Sequence, residues 1–280
     1  MEKKEVGLFA LLITFWALNY PLIKLALNYV QPFYLMFLRL LFTIPFLAIL
    51  APRGFKPVLG LKKNAQILIF GIFGIFGTWA LWYLGELYIS SSLAAIIMYT
   101  YPIITILLSS TFLKESLSVM KALGVMIGFT GIIMIFYEQI YFSNILGPML
   151  VLLSAISWSI SIIFYKKTLS KENYATVNTY QMIYALPFSM ALLLFNQTPI
   201  YLPARFWLIV ILLAFPGTAL TFTIYVLMYS KYKVNSITPY LFLVPAISVF
   251  FSYIIFRTQF NFIELIGFIL LSVGIYATTK

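Results

Sequence analysis

Ten long apolar runs, separated by short polar stretches, divide the sequence from one end to the other. Each run is roughly 18–24 residues long, which is enough to cross the hydrocarbon core of a bilayer as a helix. The apolar positions are continuous and lack the alternation of barrel strands, and a helix satisfies its own backbone polar groups. The pattern therefore predicts an all-α integral membrane protein with ten transmembrane helices. The runs are 7–28, 33–50, 65–88, 92–113, 119–137, 147–167, 174–194, 205–229, 235–256 and 262–279.

Composition and charge agree with a multi-pass protein. The chain is 63% hydrophobic and 9% charged, with a mean hydropathy of +1.02, far outside the soluble range. If successive helices alternate in direction, the loop cations fall on one side of the membrane, and only Arg205 and Arg257 fall on the other. This bias predicts a cytoplasmic-membrane protein with both termini in the cytoplasm. The first run is expected to be a retained helix. The net charge of +11 is explained by topology, so no nucleic-acid partner is expected.

The sequence also contains an internal duplication. Four pairs of residues recur 142 positions apart, and Pro102 and Pro245 recur at 143. We interpret residues 1–137 and 147–280 as two repeats of five helices each within one membrane domain. Five is an odd number, so the second repeat enters the membrane from the opposite side, as in the inverted-topology repeats of many secondary transporters. The four pairs are Trp16 and Trp158, Lys24 and Lys166, Arg39 and Gln181, and Pro45 and Pro187.

Several motifs that together cover nearly the whole chain point to a known family. They are Trp16-Ala-Leu-Asn-Tyr-Pro-Leu-Ile-Lys24, the arginine of the second helix, Ser92-Leu-Ala-Ala with Tyr101-Pro102, Phe112-Leu-Lys-Glu115 and Lys121-Ala-Leu-Gly124-Val-Met-Ile-Gly128. These residues resemble the EamA-type family of the drug/metabolite transporter superfamily. The resemblance implies a ten-helix carrier that moves amino acids, nucleobases, sugars or other small metabolites through a central cavity.

Three ionisable residues lie inside or near the ends of apolar runs, where a charge costs about 3 kcal/mol to insert. Arg39 is the deepest, and it either binds substrate or braces the bundle by bonding to Glu86 or to backbone carbonyls. Lys24 either takes part in the same site as Arg39 or extends its ammonium group to the membrane interface. Its counterpart in the second repeat, Lys166, is expected to lie in a basic loop. Glu86 is a candidate proton carrier unless it pairs with Arg39. The depths of Lys24, Arg39 and Glu86 allow them to form one charged cluster.

Aromatic and polar side chains complete the predicted substrate site. Helical spacing places Trp16, Asn19, Tyr20, Ile23 and Lys24 on one face of the first helix. Aromatic residues at these positions are cavity walls or, equally, packing and interfacial residues. Pro102 and Pro245 are expected to kink their helices and to serve as hinges or as static bends. The remaining predicted substrate-binding residues are Trp79, Tyr83, Tyr99, Trp158, Gln181, Tyr184 and Tyr240.

Function follows from what the chain has and lacks. The preferred hypothesis is a secondary transporter for small polar or amphipathic metabolites, amino acids and other carboxylates included, with the substrate and the lipid bilayer as its partners. The alternative is a non-transporting scaffold or lipid-handling protein. Because the chain has no His, Cys or Asp, we expect no enzyme, no metal site and no cofactor. Glycines on the fifth and tenth helices pack either within the monomer or between the monomers of a homodimer.

Overall fold

The computed structural model describes residues 3–50, 60–89, 91–135, 137, 145–195, 202–256 and 262–278, and this part of the chain consists of helices and turns. The helices, in chain order, are α1 (Lys3–Ala26), α2 (Pro32–Leu50), α3 (Leu61–Gly71), α4 (Thr78–Gly85), α5 (Ser91–Met98), α6 (Tyr101–Phe112), α7 (Val119–Ile135), α8 (Leu146–Thr168), α9 (Tyr174–Ala191), α10 (Ala204–Ala214), α11 (Thr221–Lys231), α12 (Val234–Ile237), α13 (Leu243–Phe256) and α14 (Phe262–Thr278).

These helices follow the ten apolar runs, and several of the runs are interrupted. Within the described residues, five helical spans are long and apolar enough to cross a membrane, and four further apolar helices are shorter. The chain is thus an all-helical, multi-pass membrane protein. That all ten runs cross, in two inverted repeats, stays a prediction. The five long spans are Lys4–Ala26, Pro32–Leu50, Leu61–Gly85, Leu146–Thr168 and Ala204–Lys231.

Two of the interruptions lie just before the prolines that the sequence singled out. The run that contains Pro102 breaks between α5 and α6, and Pro102 occupies the first turn of α6. The run that contains Pro245 has a 3₁₀ segment, Thr238–Phe242, after which Pro245 lies in the first turn of α13. A proline lacks the donor that a continuous helix needs and clashes with the preceding turn. The breaks agree with the expected kinks, whereas hinge motion stays a prediction.

Two further interruptions are π-helical turns that the hydropathy pattern did not reveal. The segment Ile72–Gly77 joins α3 to α4, and Phe215–Leu220 joins α10 to α11. At each turn a threonine hydroxyl, that of Thr78 or Thr218, donates to the carbonyl five residues earlier at 2.7 Å. Such turns leave backbone carbonyls outside the regular ladder and occur frequently at functional sites.

Contacts are exchanged between the two halves of the chain. Helix α1 packs against α10, α11 and α13, and its counterpart α8 packs against α4, α5 and α6. Helix α2 packs against α10, and its counterpart α9 packs against α3. The first two helices of each half also pack against the π-turn segment of the other half. A central cavity forms among these helices.

Helices α7 and α14 pack closely through their glycines. Gly124 approaches Gly274 while Gly131 approaches Gly267, so the two helices run antiparallel. A Cβ atom on Gly131 would lie 2.6 Å from the carbonyl oxygen of Gly267. The glycine faces thus pack within the monomer, the first of the two predicted alternatives. A homodimer stays a prediction, and the glycine faces of α7 and α14 do not support it.

The Lys166 side chain satisfies the C-terminal end of α11. The expectation that Lys166 lies in a loop is wrong, because this residue belongs to the last turn of α8. Its ammonium donates to the carbonyl oxygens of Tyr229 at 2.8 Å and Tyr232 at 2.7 Å. These carbonyls end α11 and would otherwise lack donors. Arg205 is exposed at the start of α10, and Arg257 lies outside the described residues.

Candidate functional site

A cavity of about 70 Å³ lies among α1, α2, α4, α5, α6, α8 and α11. Four of the five tryptophans of the chain line it. A mostly apolar and aromatic wall with a few polar groups is typical of a small-molecule site. The lining residues are Trp16, Asn19, Tyr20, Ile23, Arg39, Thr78, Trp79, Trp82, Met98, Tyr99, Tyr101, Trp158 and Phe222.

The first helix contributes one face to this wall. Trp16, Asn19, Tyr20 and Ile23 all line the cavity, as their helical spacing predicts. The Trp16 ring packs at 6.2 Å from that of Trp158, its counterpart in the second half. Lys24 is exposed instead and is not among the lining residues. The first helix thus presents aromatic and amide groups to the cavity and places its lysine outside.

Arg39 is the one charged residue among those that line the cavity, and it is only 4% exposed. Its Nε donates to the hydroxyl of Thr218 at 2.7 Å, and its Nη2 donates to the carbonyl of Gly217 at 3.2 Å. The guanidinium carbon lies 4.4 Å from the centroid of the Trp79 ring, a cation–π contact. Arg39 of the first half is therefore held by the π-helical turn of the second half.

The π turn supplies this anchor because it exposes the Gly217 carbonyl. This oxygen also accepts a hydrogen bond from Asn19 Nδ2 at 3.0 Å and from the Thr221 hydroxyl at 2.9 Å. A Cβ atom at position 217 would collide with Asn19 Oδ1. Glycine is thus required there for the close approach of α1, and Gly217 and Thr218 are both part of the site.

Glu86 does not neutralise Arg39. In the turn after α4, the Glu86 carboxylate accepts a hydrogen bond from Trp82 Nε1 at 2.8 Å. Arg39 and Glu86, both described, form no ion pair within 4.0 Å. The hydroxyl of Tyr83 interacts electrostatically with Arg39, without a hydrogen bond of good geometry. Two structural partners of Arg39 were predicted, Glu86 and backbone carbonyls. The structure has the bond to a backbone carbonyl, that of Gly217. The cavity consequently holds a buried cation that no carboxylate in the described part of the chain compensates.

Three other predicted residues lie away from the cavity. Gln181 donates to Asn178 at 2.8 Å, and its backbone packs against α3. The Tyr184 hydroxyl donates to the Asn64 side chain, and the Tyr240 ring packs edge-on against Phe9. Together with Lys24, Tyr83 and Glu86, these residues are not among those that line the cavity, so a role for them in substrate binding stays a prediction.

Sequence reasoning missed several lining residues. Trp82, Met98 and Phe222 gave no signal, because aromatic and apolar residues are abundant throughout the chain. Tyr101 belongs to a family motif, and Gly77-Thr78 recurs in the second half as Gly217-Thr218, so Tyr101 and Thr78 could both have been proposed. Within the described residues, no group of three His, Cys, Asp or Glu side chains is placed to hold a metal ion.

The fold and the site define a class: a multi-pass helical membrane protein with an aromatic, cation-bearing cavity between its two halves. The model of the EamA-like transporter family matches the chain twice, over residues 3–137 and 145–280. The chain therefore belongs to the EamA-like transporter family, which confirms the resemblance seen in its motifs. It is a membrane transporter, and the family and its named members point to transport rather than to an enzyme.

Individual proteins agree with this assignment. The chain is 30% identical to an uncharacterized transporter of Archaeoglobus fulgidus over 65% of its length and 64% of that protein. It is 28% identical to the transporter YvbV of Bacillus subtilis, over 98% of this chain and 91% of that one. A probable amino-acid metabolite efflux pump of Escherichia coli is 24% identical over 99% of this chain and 95% of its own length. One crystal structure matches with a TM-score of 0.84 at 15% identity, covering 100% of this chain and 97% of that one, and shows the shared fold.

Proposed function

We propose that the protein is a secondary transporter that moves small polar or amphipathic metabolites, with carboxylate-bearing solutes such as amino acids favoured, across the cytoplasmic membrane. The observation that carries the proposal is the uncompensated charge of Arg39 inside an aromatic cavity. A buried cation without a carboxylate partner is costly, and a bound anion relieves that cost. The name of the Escherichia coli relative, an amino-acid metabolite efflux pump, points in the same direction.

The size and lining of the cavity limit the solute. A volume of about 70 Å³ holds a few water molecules or a small solute and is well below the roughly 300 Å³ or more of drug-sized sites. The four tryptophans and the tyrosines pack against apolar parts of a ligand. The Tyr101 hydroxyl, which has no hydrogen-bond partner within the described residues, remains for its polar part. A small metabolite with one anionic group and an apolar remainder fits these features best.

Transport by alternating access fits the way the site is built. Arg39 and Asn19 of the first half bind the π turn of the second half, so the site lies where the halves meet. In inverted-repeat carriers one half moves against the other around such a midplane site. The proposal includes ten membrane crossings, inverted repeats and cytoplasmic termini, and it makes the two halves the moving bodies.

The test is transport of a panel of labelled amino acids and small carboxylates by purified protein in vesicles. We expect uptake of at least one solute by the wild type and its loss in Arg39→Gln. Arg205→Gln is the matched control, since it removes an exposed arginine outside the cavity. If Arg39→Gln folds and transports every solute like the wild type, Arg39 does not serve in the site.

Labelling of single introduced cysteines distinguishes a transporter cavity from a solid scaffold. The chain contains no cysteine, so each label reports one position. We expect cysteines at Tyr20 and Tyr99, which line the cavity, to react with a small water-soluble reagent. A cysteine at Met36, which is fully buried outside the cavity, is the protected control. Protection of both cavity positions would favour the scaffold or lipid-handling alternative.

A further inference from the structure

The guanidinium group of Arg39 has two edges that can each grip a pair of acceptors, and the protein uses one of them. The side edge consists of Nε and Nη2, and these atoms are the donors to Thr218 and Gly217. The end edge consists of Nη1 and the second Nη2 hydrogen. Within the described residues no well-aligned hydrogen bond uses this edge, and the Tyr83 hydroxyl interacts electrostatically with the guanidinium. Five N–H donors in a fixed plane make each edge a fork that fits a carboxylate.

The polarity of the anchor is fixed by the π turn. The Thr218 hydroxyl has a single hydrogen, which it donates to the Leu213 carbonyl at 2.7 Å. The Thr218 oxygen can therefore only accept a hydrogen bond from Arg39. The Gly217 carbonyl oxygen is likewise an acceptor. Because both partners are acceptors, they hold the side edge of the guanidinium, and these two oxygens cannot themselves bind an anion. The orientation of the free end edge thus depends on Thr218.

The first half of the chain has the same turn, but no cation among the described residues is bound to it. Thr78 donates to the Phe73 carbonyl at 2.7 Å, as Thr218 does to its own partner. Gln181 stands in the place of the arginine and donates to Asn178 instead of to Thr78. The described residues therefore contain two π turns, and Arg39 is bound to one of them. The end edge of Arg39 is the one guanidinium edge among the lining residues that can bind an anion.

We propose that Thr218 is a positioning residue that presents the end edge of Arg39 to the carboxylate of the transported solute. This inference rests on the proposed function and narrows its substrate class to solutes with a planar carboxylate, bound by two parallel hydrogen bonds. The site distinguishes a carboxylate from the amide of the same shape, because the amide has one acceptor atom and no charge. Thr218 sets this selectivity without touching the solute.

The experiment compares binding of carboxylates and their matched amides, followed by the fluorescence of the cavity tryptophans. The probes are isovalerate and isovaleramide, and phenylacetate and phenylacetamide. We expect Thr218→Val to weaken carboxylate binding about tenfold, the size expected for one hydrogen bond to a charged group, and to change amide binding little. Thr218→Ser keeps the hydroxyl and should restore the wild-type preference. Arg39→Gln should abolish the preference.

Thr223→Val is the matched control, because Thr223 also donates to a backbone carbonyl and accepts from a side chain, in the same membrane span but away from Arg39. Its hydroxyl donates to Ala219 at 2.7 Å and accepts from Asn178 at 2.9 Å. If Thr218→Val and Thr223→Val keep the same carboxylate preference while Arg39→Gln loses it, the positioning role is wrong and the transport proposal stands. If the wild type binds no carboxylate better than its amide, the substrate class is wrong. The vesicle assay then judges transport separately.

Discussion

Replacing Gly131 with alanine tests the close packing of α7 on α14. The added methyl carbon would lie 2.6 Å from both the Gly267 carbonyl oxygen and the Leu271 backbone nitrogen, where ordinary contact begins at 3.4 Å. Both neighbours are backbone atoms, so no rotamer change relieves the clash and the helices must separate by several tenths of an ångström. Helix contacts in lipid depend on such packing, so this separation also weakens the rest of the interface.

The expected cost combines two opposing effects. Overpacking costs about 1–3 kcal/mol, and the rigid backbone on both sides favours the upper end. Alanine is the better helix former by about 1 kcal/mol, which leaves a net loss of about 2 kcal/mol in the free energy of unfolding. Gly7→Ala is the matched control, because a Cβ atom on Gly7 has nothing within 4 Å. That variant should be neutral or up to about 1 kcal/mol more stable.

The assay is equilibrium unfolding by SDS in mixed micelles, followed by circular dichroism, with the oligomeric state measured in parallel. If Gly131→Ala unfolds at the same SDS fraction as Gly7→Ala, the two helices do not approach as closely as the structure has them. If Gly131→Ala leaves unfolding unchanged but dissociates a dimer, the glycines pack between monomers and the intramolecular assignment is refuted.

Two further predictions concern contacts between the halves. Glu115→Gln should lower the free energy of unfolding by about 1.5 kcal/mol. The Glu115 carboxylate accepts hydrogen bonds from the backbone amides of Val234 at 3.0 Å and Asn235 at 2.9 Å, and glutamine keeps only one acceptor oxygen. Unchanged unfolding by SDS would contradict this prediction. Gly217→Ala should displace Asn19 and weaken the binding of carboxylates in the tryptophan fluorescence assay. If this variant binds carboxylates like the wild type, α1 need not approach the π turn Phe215–Leu220 closely.

The sequence alone was sufficient for the all-helical membrane class, the family and the buried charge of Arg39. Long apolar runs, a duplication at a constant spacing and family motifs are properties of neighbouring or regularly spaced residues. The face of α1 that carries Trp16, Asn19 and Tyr20 was predictable for the same reason, since helical periodicity is local. Arg39 stood out because a cation inside an apolar run is costly wherever the helix packs.

Only the tertiary structure decided which of these groups meet. Hydropathy could not show the turn that holds Arg39, because a π turn adds no polar residue to the run. It could not show that Glu86 bonds to Trp82 instead of Arg39, or that Lys24 remains outside the cavity. A buried charge requires partners, but the sequence does not specify them. The choice among distant acceptors depends on how helices of the two halves pack, and that packing brings the Gly217 carbonyl to Arg39 across 178 residues.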